Sequence, residues 1–489
     1  MKYISVEEAG KKLNLSARSI RNYCAQGRIP GAILSGKTWL IPSDAKKPNR
    51  TVTKLDDETL KNLEYGEKLV SFLNESPVSY YAINNVRKTL LENGYKEIYE
   101  NEKVEVSLGD KVFFIRNDST LIALNIGNNP SSFHIIASHC DSPCFKIKPQ
   151  SDNSGLYNKI NVEPYGGMII NTWLDRPLSI AGRVIVNEDD SIESRLVNLS
   201  NFTVMIPNTC IHFNRDLNNG YVYNFAVDMQ PFFSMNKEKG SFKELLANKM
   251  DIDASNIINY DLYLYNKEQG IVWGENKEFV SSARLDDLQC VYTSLMAFVE
   301  SNNENNINVL YIADNEEVGS LSRQGADGDF LDTILKRIAN SLNLDYELLL
   351  AKSFMISADN AHAVHPNKGS LSDEHNQIFM NQGIAIKYNA SNSYTTDALS
   401  SAVFQKICNK KDVPVQFFTN RSDVRGGSTL GRFVLGHTSI MSIDVGLAQL
   451  AMHSSYETAG SKDIYYAIEA FKGFYCSQIE IVKNKVSIK

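Results

Sequence analysis

From residue 112 onward, short apolar runs alternate with segments whose apolar residues recur at helical spacing, and this alternation limits the fold more than any other feature. Strand-length runs stand at 112–115, 121–126, 134–137 and 308–313, and again near 353–358, 383–388, 413–418 and 438–443. Helical patterns lie between and around them. Ile83, Val86 and Leu90 mark one face of a helix ending at Gly94, and others run over about 285–301, 331–342 and 464–480. Strands alternating with helices predict an α/β sheet covered on both faces. Between about 142 and 280 the rhythm breaks into short β-like runs and turns, which predicts an inserted, mostly β domain.

Length and composition narrow the partners. A chain of 489 residues, 43% hydrophobic and 22% charged, is long enough for two or three domains. No run reaches the roughly 18–20 apolar residues of a membrane span, so no membrane partner is expected. The opening MKYISVEEAGKKLNL has no apolar stretch like that of a signal peptide. Seven cysteines without paired spacing argue against a disulfide framework, and a cytoplasmic location follows as the expectation. The net charge of −7 is unevenly spread: residues 1–50 hold ten Lys or Arg against three Asp or Glu, so the remainder carries −14. A basic head on an acidic body suggests modules with different partners.

In the head, Ser5 and Glu8 have the spacing of a capping box for a helix reaching about Leu13. Asn14-Leu15 make a turn, and Ser16 caps a second helix through Arg18, Ile20, Arg21 and Tyr23 that ends before Gly27. Residues 32–34 and 38–41 around Ser35-Gly36-Lys37 read as a hairpin. Helix, tight turn, basic helix and wing resemble the small winged helix-turn-helix domains of the excisionase and MerR-like class. That resemblance implies DNA binding, with Arg18 and Arg21 near the major groove and Lys37 on phosphate. A folded appendage used for assembly or docking is the other reading. Residues 51–64 have the polar composition of a linker.

Several apolar runs of the body stop in histidine or acid. Residues 137–143, ASHCDSP, close one strand; 282–287, SARLDD, open a helix; the strand at 308–313 ends in Asp314-Asn315-Glu316-Glu317. Residues 356–362, ISADNAH, close another strand, and 450–454, LAMHS, follow a fifth. Open α/β sheets place their sites at such strand ends. Imidazole and carboxylate both bind zinc, and one carboxylate can bridge two ions about 3.5–4 Å apart. Adjacent glutamates on an irregular turn point in different directions, so one can bind metal while the other takes a proton from water. Taken singly these residues have plainer readings, His139 as a structural imidazole and Asp286 as a helix cap.

Together the segments closely resemble the aspartyl aminopeptidase family of dinuclear zinc metallopeptidases, from about residue 65 to the C-terminus. The resemblance rests on SHCDSPCFKIKP at 138–149, YGG at 165–167, WLDRPLSIAGRV at 173–184, RLDD at 284–287, DNEEVGS at 314–320, SADNAHAVHPN at 357–367, GGSTLG at 426–431 and QLAMHS at 449–454. It implies two zinc ions per subunit, with manganese or cobalt as alternatives. His139 and Asp359 would hold one ion, Glu317 and His453 the other, and Asp286 would bridge them. Glu316 would be the general base, and Asp141 would orient the His139 imidazole. His362 and His365 would lie at the substrate, Lys387 would meet an acidic substrate side chain, and His212 would reach a neighbouring subunit's active site. The implied reaction is removal of the N-terminal residue, Asp or Glu first, from peptides with a free N-terminus, through a zinc-bridging hydroxide.

The implied architecture is an α/β zinc-aminopeptidase catalytic domain at 65–141 and 281–489, an inserted mostly β dimerisation domain at 142–280, and a winged helix-turn-helix domain at 1–50. The family's assembly into dodecamers makes a homo-oligomer the expectation. Asp287 stands where the family commonly has Asn, Tyr456 where it often has a basic residue, and Arg432-Phe433 where a proline is common; these bear on substrate preference. The family does not usually carry the head. Two other readings stay open: a DNA-binding regulator whose peptidase body is an oligomeric scaffold or peptide sensor, and a different dinuclear hydrolase, such as an amidase, on the same fold.

Overall fold

Phe133–His139 and Ile307–Ala313 are buried at every position, as an unbroken apolar run requires of a strand covered on both faces. They pair in parallel, Phe133 opposite Ile307 and His139 opposite Ala313. Phe354–Ala358 lies parallel to the other side of Phe133–His139, and Met441–Gly446 lies parallel to Phe354–Ala358. These four form the middle of a nine-stranded sheet. Ile384–Lys387 and Val415–Phe418 extend it at one side; Thr120–Ile126, Lys111–Arg116 and Lys96–Glu97 extend it at the other. Because the middle strands are parallel, their C-terminal ends share one edge.

The strand residues alternate between two cores. Ile136, Leu310 and Ile312 pack with Ile83, Leu288 and Phe474, from the helices Ser79–Glu92, Leu285–Val299 and Ser461–Cys476. Ile135, Val309 and Tyr311 face the other way, onto Phe330 and Ile334 of the helix Phe330–Ser341. The computed structural model describes residues 2–25, 29–36, 38–47, 56–153, 155–235, 242–483 and 485–489, in two units, Met1–Asp56 and Asp57–Lys489. Among the described residues no helix is long and apolar enough to cross a membrane.

Some expected boundaries shift. The linker expected at 51–64 lies partly outside the described residues, and its end is the start of the helix Asp57–Glu75. That helix buries Thr59, Asn62, Gly66, Leu69 and Leu73, a stripe at helical spacing whose first three members are polar or small, so no apolar pattern announces it. The body therefore begins before residue 65, at Asp57. The strand expected at 438–443 is Met441–Gly446, because Gly431–Thr438 forms a helix that ends at Ser439 in the left-handed region. The last helix stops at Cys476, and Ile479–Val482 begins a hairpin.

The insertion forms a six-stranded antiparallel sheet from strands between Cys144 and Asn266, over its own core of Phe145, Ile147, Leu178, Val184 and Leu262. Its expected end at 280 is too late. Ile271–Trp273 and Phe279–Ser282 join Glu457–Gly460, Ala448–Leu450 and Ala361–His362 in a separate five-stranded sheet outside the insertion.

In the N-terminal unit Ser5 and Glu8 form the expected capping box of Val6–Leu13. The Ser16 hydroxyl accepts the Ser19 N–H at the head of Ala17–Ala25. Thr38–Pro42 pairs with both Ile33–Ser35 and Tyr3–Ile4. Val6, Ala9, Leu13, Ile20, Cys24 and Ile41 form the core. Gly27 and Lys37, the expected helix stop and wing contact, lie outside the described residues.

Candidate metal centre

Each carboxylate and imidazole of the site leaves a regular element at a break in the backbone. His139 is the last residue of its strand. After Ala313 the chain turns through Asn315 in the left-handed region, φ 62°, so that Glu316–Val318 forms a single tight turn under the sheet edge. Asp359 directly follows Phe354–Ala358. Asp286 and Asp287 depart from helical dihedrals at the mouth of Leu285–Val299. His453 sits at φ 67° just beyond Ala448–Leu450. The parallel strands bring these residues to one edge.

Asp286 is at the centre. Its Oδ1 lies 3.7 Å from His139 Nε2, and its Oδ2 lies 3.5 Å from His453 Nε2. His453 Nε2 is also 3.4 Å from Glu317 Oε2. The other nitrogen of each ring is committed to a backbone carbonyl, His139 Nδ1 to Asp141 O at 3.1 Å and His453 Nδ1 to Gly167 O at 2.8 Å. Both Nε2 atoms are therefore aimed at the same carboxylate. Donor atoms of His139, Asp286 and Asp359 lie within 4.8 Å of one another, and so do those of Asp286, Glu317 and His453. Zinc–ligand distances of about 2.0–2.2 Å place two ligands of one tetrahedral ion roughly 3.3–3.6 Å apart. The printed contacts of 3.4–3.7 Å around Asp286 and His453 come close to that spacing, and both triplets share Asp286; His139, Glu316 and Glu317 form a third triplet as close.

The electrostatics fit a divalent cation as well. Asp286 Oδ1 and Glu317 Oε1 are buried and accept no hydrogen bond, a costly condition for carboxylate oxygens unless something cationic meets them. Burial, reinforced by the charges of Asp359, Asp141 and Asp286, pushes the Glu316 carboxyl up to about 8. Burial likewise raises Glu317 and Asp359. Asp286 alone stays below its ordinary value; burial opposes this, but the bond to His453 and the charge of His139 outweigh it. Burial works against a charged His453, yet its bond to Asp286 holds it up to about 10.

Asp141 contacts several segments at once. Its Oδ1 stands 3.4 Å from His139 Nδ1. The same carboxylate accepts the backbone N–H groups of Glu316 and Glu317, each at 3.1 Å, and the Tyr165 hydroxyl at 2.7 Å. It thus joins the end of one strand to the turn after the next. Glu457, which the sequence reading missed, has the matching role on the other side. Its Oε2 accepts Asp286 N–H at 3.1 Å and its Oε1 accepts His453 N–H at 2.8 Å. Asn360 was missed too; its Nδ2 donates to Leu285 O and Gln449 Oε1 beneath the site. The available signal was faint, an acid four residues after His453 opening the short strand Glu457–Gly460.

Lys387 is 3% exposed and stands 3.4 Å from Asp359, which excludes an ordinary solvated lysine. His362 and His365 are exposed and line a depression that reaches Met452, beside His453. His212 lies exposed on a turn of the insertion and is not among the clustered ligands. Arg18 and Arg21 are exposed on the second head helix, Arg21 at 3.2 Å from Glu7.

Residues 72–475 match the family model described as aminopeptidase I zinc metalloprotease (M18), and residues 3–45 match a helix-turn-helix domain. A relative from Clostridium novyi (strain NT), "Probable M18 family aminopeptidase 2", is 44% identical over 431 residues, covering 85% of this chain and 100% of that one. A "Probable aspartyl aminopeptidase" from Ricinus communis is 33% identical over 479 residues, covering 87% and 97%. Among solved structures, the chain is similar to one in the Ape4 and Nbr1 complex, with TM-score 0.83, 34% identity and coverage of 86% and 87%. It is also similar to the S. cerevisiae mApe1 dodecamer, with TM-score 0.74, 26% identity and coverage of 84% and 96%.

Proposed function

The chain belongs to the M18 family of zinc aminopeptidases, and on that footing we propose that it removes N-terminal Asp or Glu from peptides at a two-zinc centre. His139 and Asp359 would hold one ion and Glu317 and His453 the other, with Asp286 shared between them. The observation that carries this reading is the Asp286 carboxylate presenting one oxygen to His139 Nε2 and the other to His453 Nε2. Zinc held there supplies Lewis acidity and brings the pKa of bound water down to about 7.

The chain's own residues supply the rest. Glu316 takes the proton of the attacking water and returns it to the leaving amine. Among the described residues nothing donates to its carboxylate, while Asp141 fixes its backbone. His362 and His365 at the mouth face the developing oxyanion. Lys387 attracts the side-chain carboxylate of the first residue, in keeping with the name of the Ricinus communis relative. The exposed turn of the insertion with Ile211, His212 and Phe213 supports a shared interface, and the mApe1 likeness supports a dodecamer. In that assembly His212 completes a neighbour's site.

The test is release from free-amine Asp, Glu, Leu and Ala chromogenic substrates by protein stripped of metal and then reloaded with zinc. Zinc-dependent release favouring Asp and Glu supports the whole reading. Release favouring Leu or Ala keeps the hydrolase and retires the acidic preference. No release from protein holding two zinc ions refutes it.

A second role is favoured by the head. Arg18, Arg21 and Asn22 lie exposed at successive turns of one helix, and Arg and Asn are the side chains that pair bidentately with guanine and adenine in the major groove. Duplex DNA binding by the full chain that weakens with salt, and weakens further in Arg18→Ala, supports it; salt-independent or absent binding retires it.

A further inference from the structure

A depression lies near the metal centre, at the loop between Val415–Phe418 and Gly431–Thr438. It begins at His362 and Met452, beside the ligands Asp359 and His453. A second depression adjoins it, sharing the lining Thr419–Arg421 and Val424–Gly427, and reaches Tyr388 and Arg432. The loop that roofs it is held from below, Thr429 Oγ1 donating to the buried Asp444 at 2.5 Å.

The charge of these depressions runs against that of the body. Their lining holds Lys368, Arg421, Arg425 and Arg432 with one carboxylate, Asp373. Arg421 is neutralised by Asp423, two nitrogens meeting two oxygens at 2.6 Å each. Among the described residues none of Lys368, Arg425 and Arg432 has a carboxylate within ion-pair distance. Three unpaired cations line these two adjoining depressions, Arg425 at both, in a body of net charge −14.

We infer that these depressions bind the part of the peptide that follows the cleaved bond and favour carboxylates at its second to fourth residues. The inference rests on the aminopeptidase reading above, and it concerns a different part of the substrate. An aminopeptidase has one residue before the scissile bond, so the adjoining depressions between the loops near 362–373, 388–396 and 419–432 offer room to the leaving peptide. Three cations without partners there complement an acidic segment. Their exposure makes the effect modest for each residue and sensitive to salt.

Two peptide series separate this inference from the first-residue preference. One fixes Asp first and follows it with three Ala, three Glu or three Lys. The other fixes an Ala tail and varies the first residue among Asp, Glu, Leu and Ala. Zinc-loaded full-length protein cleaves the Glu tail about threefold to tenfold better than the Ala tail in kcat/KM near about 50 mM salt, and the gap closes near about 500 mM. The Lys tail falls below the Ala tail. In K368A/R425A/R432A the Glu-to-Ala ratio falls to about one; R425Q alone lowers it partway and guards against misfolding of the triple variant. Equal rates for the tails at low salt, or a ratio unchanged in both variants, overturns the inference. If the second series shows no first-residue preference, the acidic-substrate reading fails while the tail ratio still decides this one. If nothing is cleaved, fluorescence anisotropy of the C-terminally labelled Glu-tail and Ala-tail peptides decides it, equal affinities overturning it.

Discussion

Glu457→Gln is the sharpest test of how the centre is held. Glu457 is 2% exposed, and its two oxygens accept the backbone N–H groups of Asp286 and His453. Glutamine has the same volume and keeps one acceptor. Its amide group turns the other acceptor into a donor facing a backbone N–H, whichever way it is flipped. A hydrogen bond to a charged group contributes about 1.5–3 kcal/mol, and a buried donor left without a partner costs about 1–3 kcal/mol more. How much of this appears depends on metal. Burial and the charge of Asp286 push the Glu457 carboxyl up to about 8, so near pH 7 the metal-free side chain carries a proton and already resembles glutamine. Divalent cations on Asp286 and His453 favour the ionised form, which glutamine cannot adopt. The penalty therefore falls on zinc affinity rather than on the metal-free fold. Partners of metal ligands typically account for about 10–100-fold in affinity, or roughly 1.4–2.7 kcal/mol. The assay is competition with a chromogenic zinc chelator, beside thermal unfolding of stripped protein. The zinc Kd rises about 10- to 100-fold with the stripped Tm nearly unchanged. An unchanged Kd with a lowered stripped Tm would refute the reasoning, because Glu457 would then be an ordinary core acceptor.

Glu316→Gln retains zinc by metal analysis and loses about 10²–10⁴ in kcat, since only proton transfer is removed; normal turnover by the purified variant refutes the assignment. Asp286→Ala loses zinc as well as activity, and full zinc content in that variant removes Asp286 from its shared position. Stripped protein becomes less stable as pH rises. Burial holds Glu316 near about 8 and Asp314 and Asp463 near about 7, above the ordinary values of 4.5 and 3.8. Their stabilising contribution is full below about pH 4 and is lost as pH climbs through 7 and 8, each proton held only by the folded state costing about 1.4 kcal/mol per pH unit. Zinc flattens that slope, and a Tm of stripped protein that rises from pH 5 to pH 8 contradicts the account. The protein elutes far above its 54.8 kDa chain mass, and Phe213→Glu, which charges a side chain 88% exposed on the insertion, lowers that mass; monomeric elution of the unaltered protein sinks the interface.

What the sequence made legible, and what it concealed, divide along a physical line. The convergence of His139, Glu317 and Asp359 was legible because each stands at or just beyond the end of an apolar run, and an apolar run announces its own burial. The helix Asp57–Glu75 was not, because Thr59, Asn62 and Gly66 make its first buried turns, and small or polar residues carry no such mark. Glu457 and the further task of Asp141 were harder still to read, for a stronger reason. A buried carboxylate is tolerated only when donors meet it, and here the donors are remote in sequence. Glu457 meets Asp286 across 171 residues, and Asp141 meets Glu316 across 175. Local pattern holds no trace of a bond between such distant partners. The remoteness is also what makes the arrangement useful. The ligands stand on separate strand ends, and each such end is a break in regular structure that hydrogen bonds within its own element do not hold. Asp141 fastens the Glu316–Glu317 turn to the neighbouring strand, and Glu457 fastens the Asp286 break to the His453 turn. The polar groups hardest to read from the sequence are thus the ones that let four irregular backbone segments hold a single geometry.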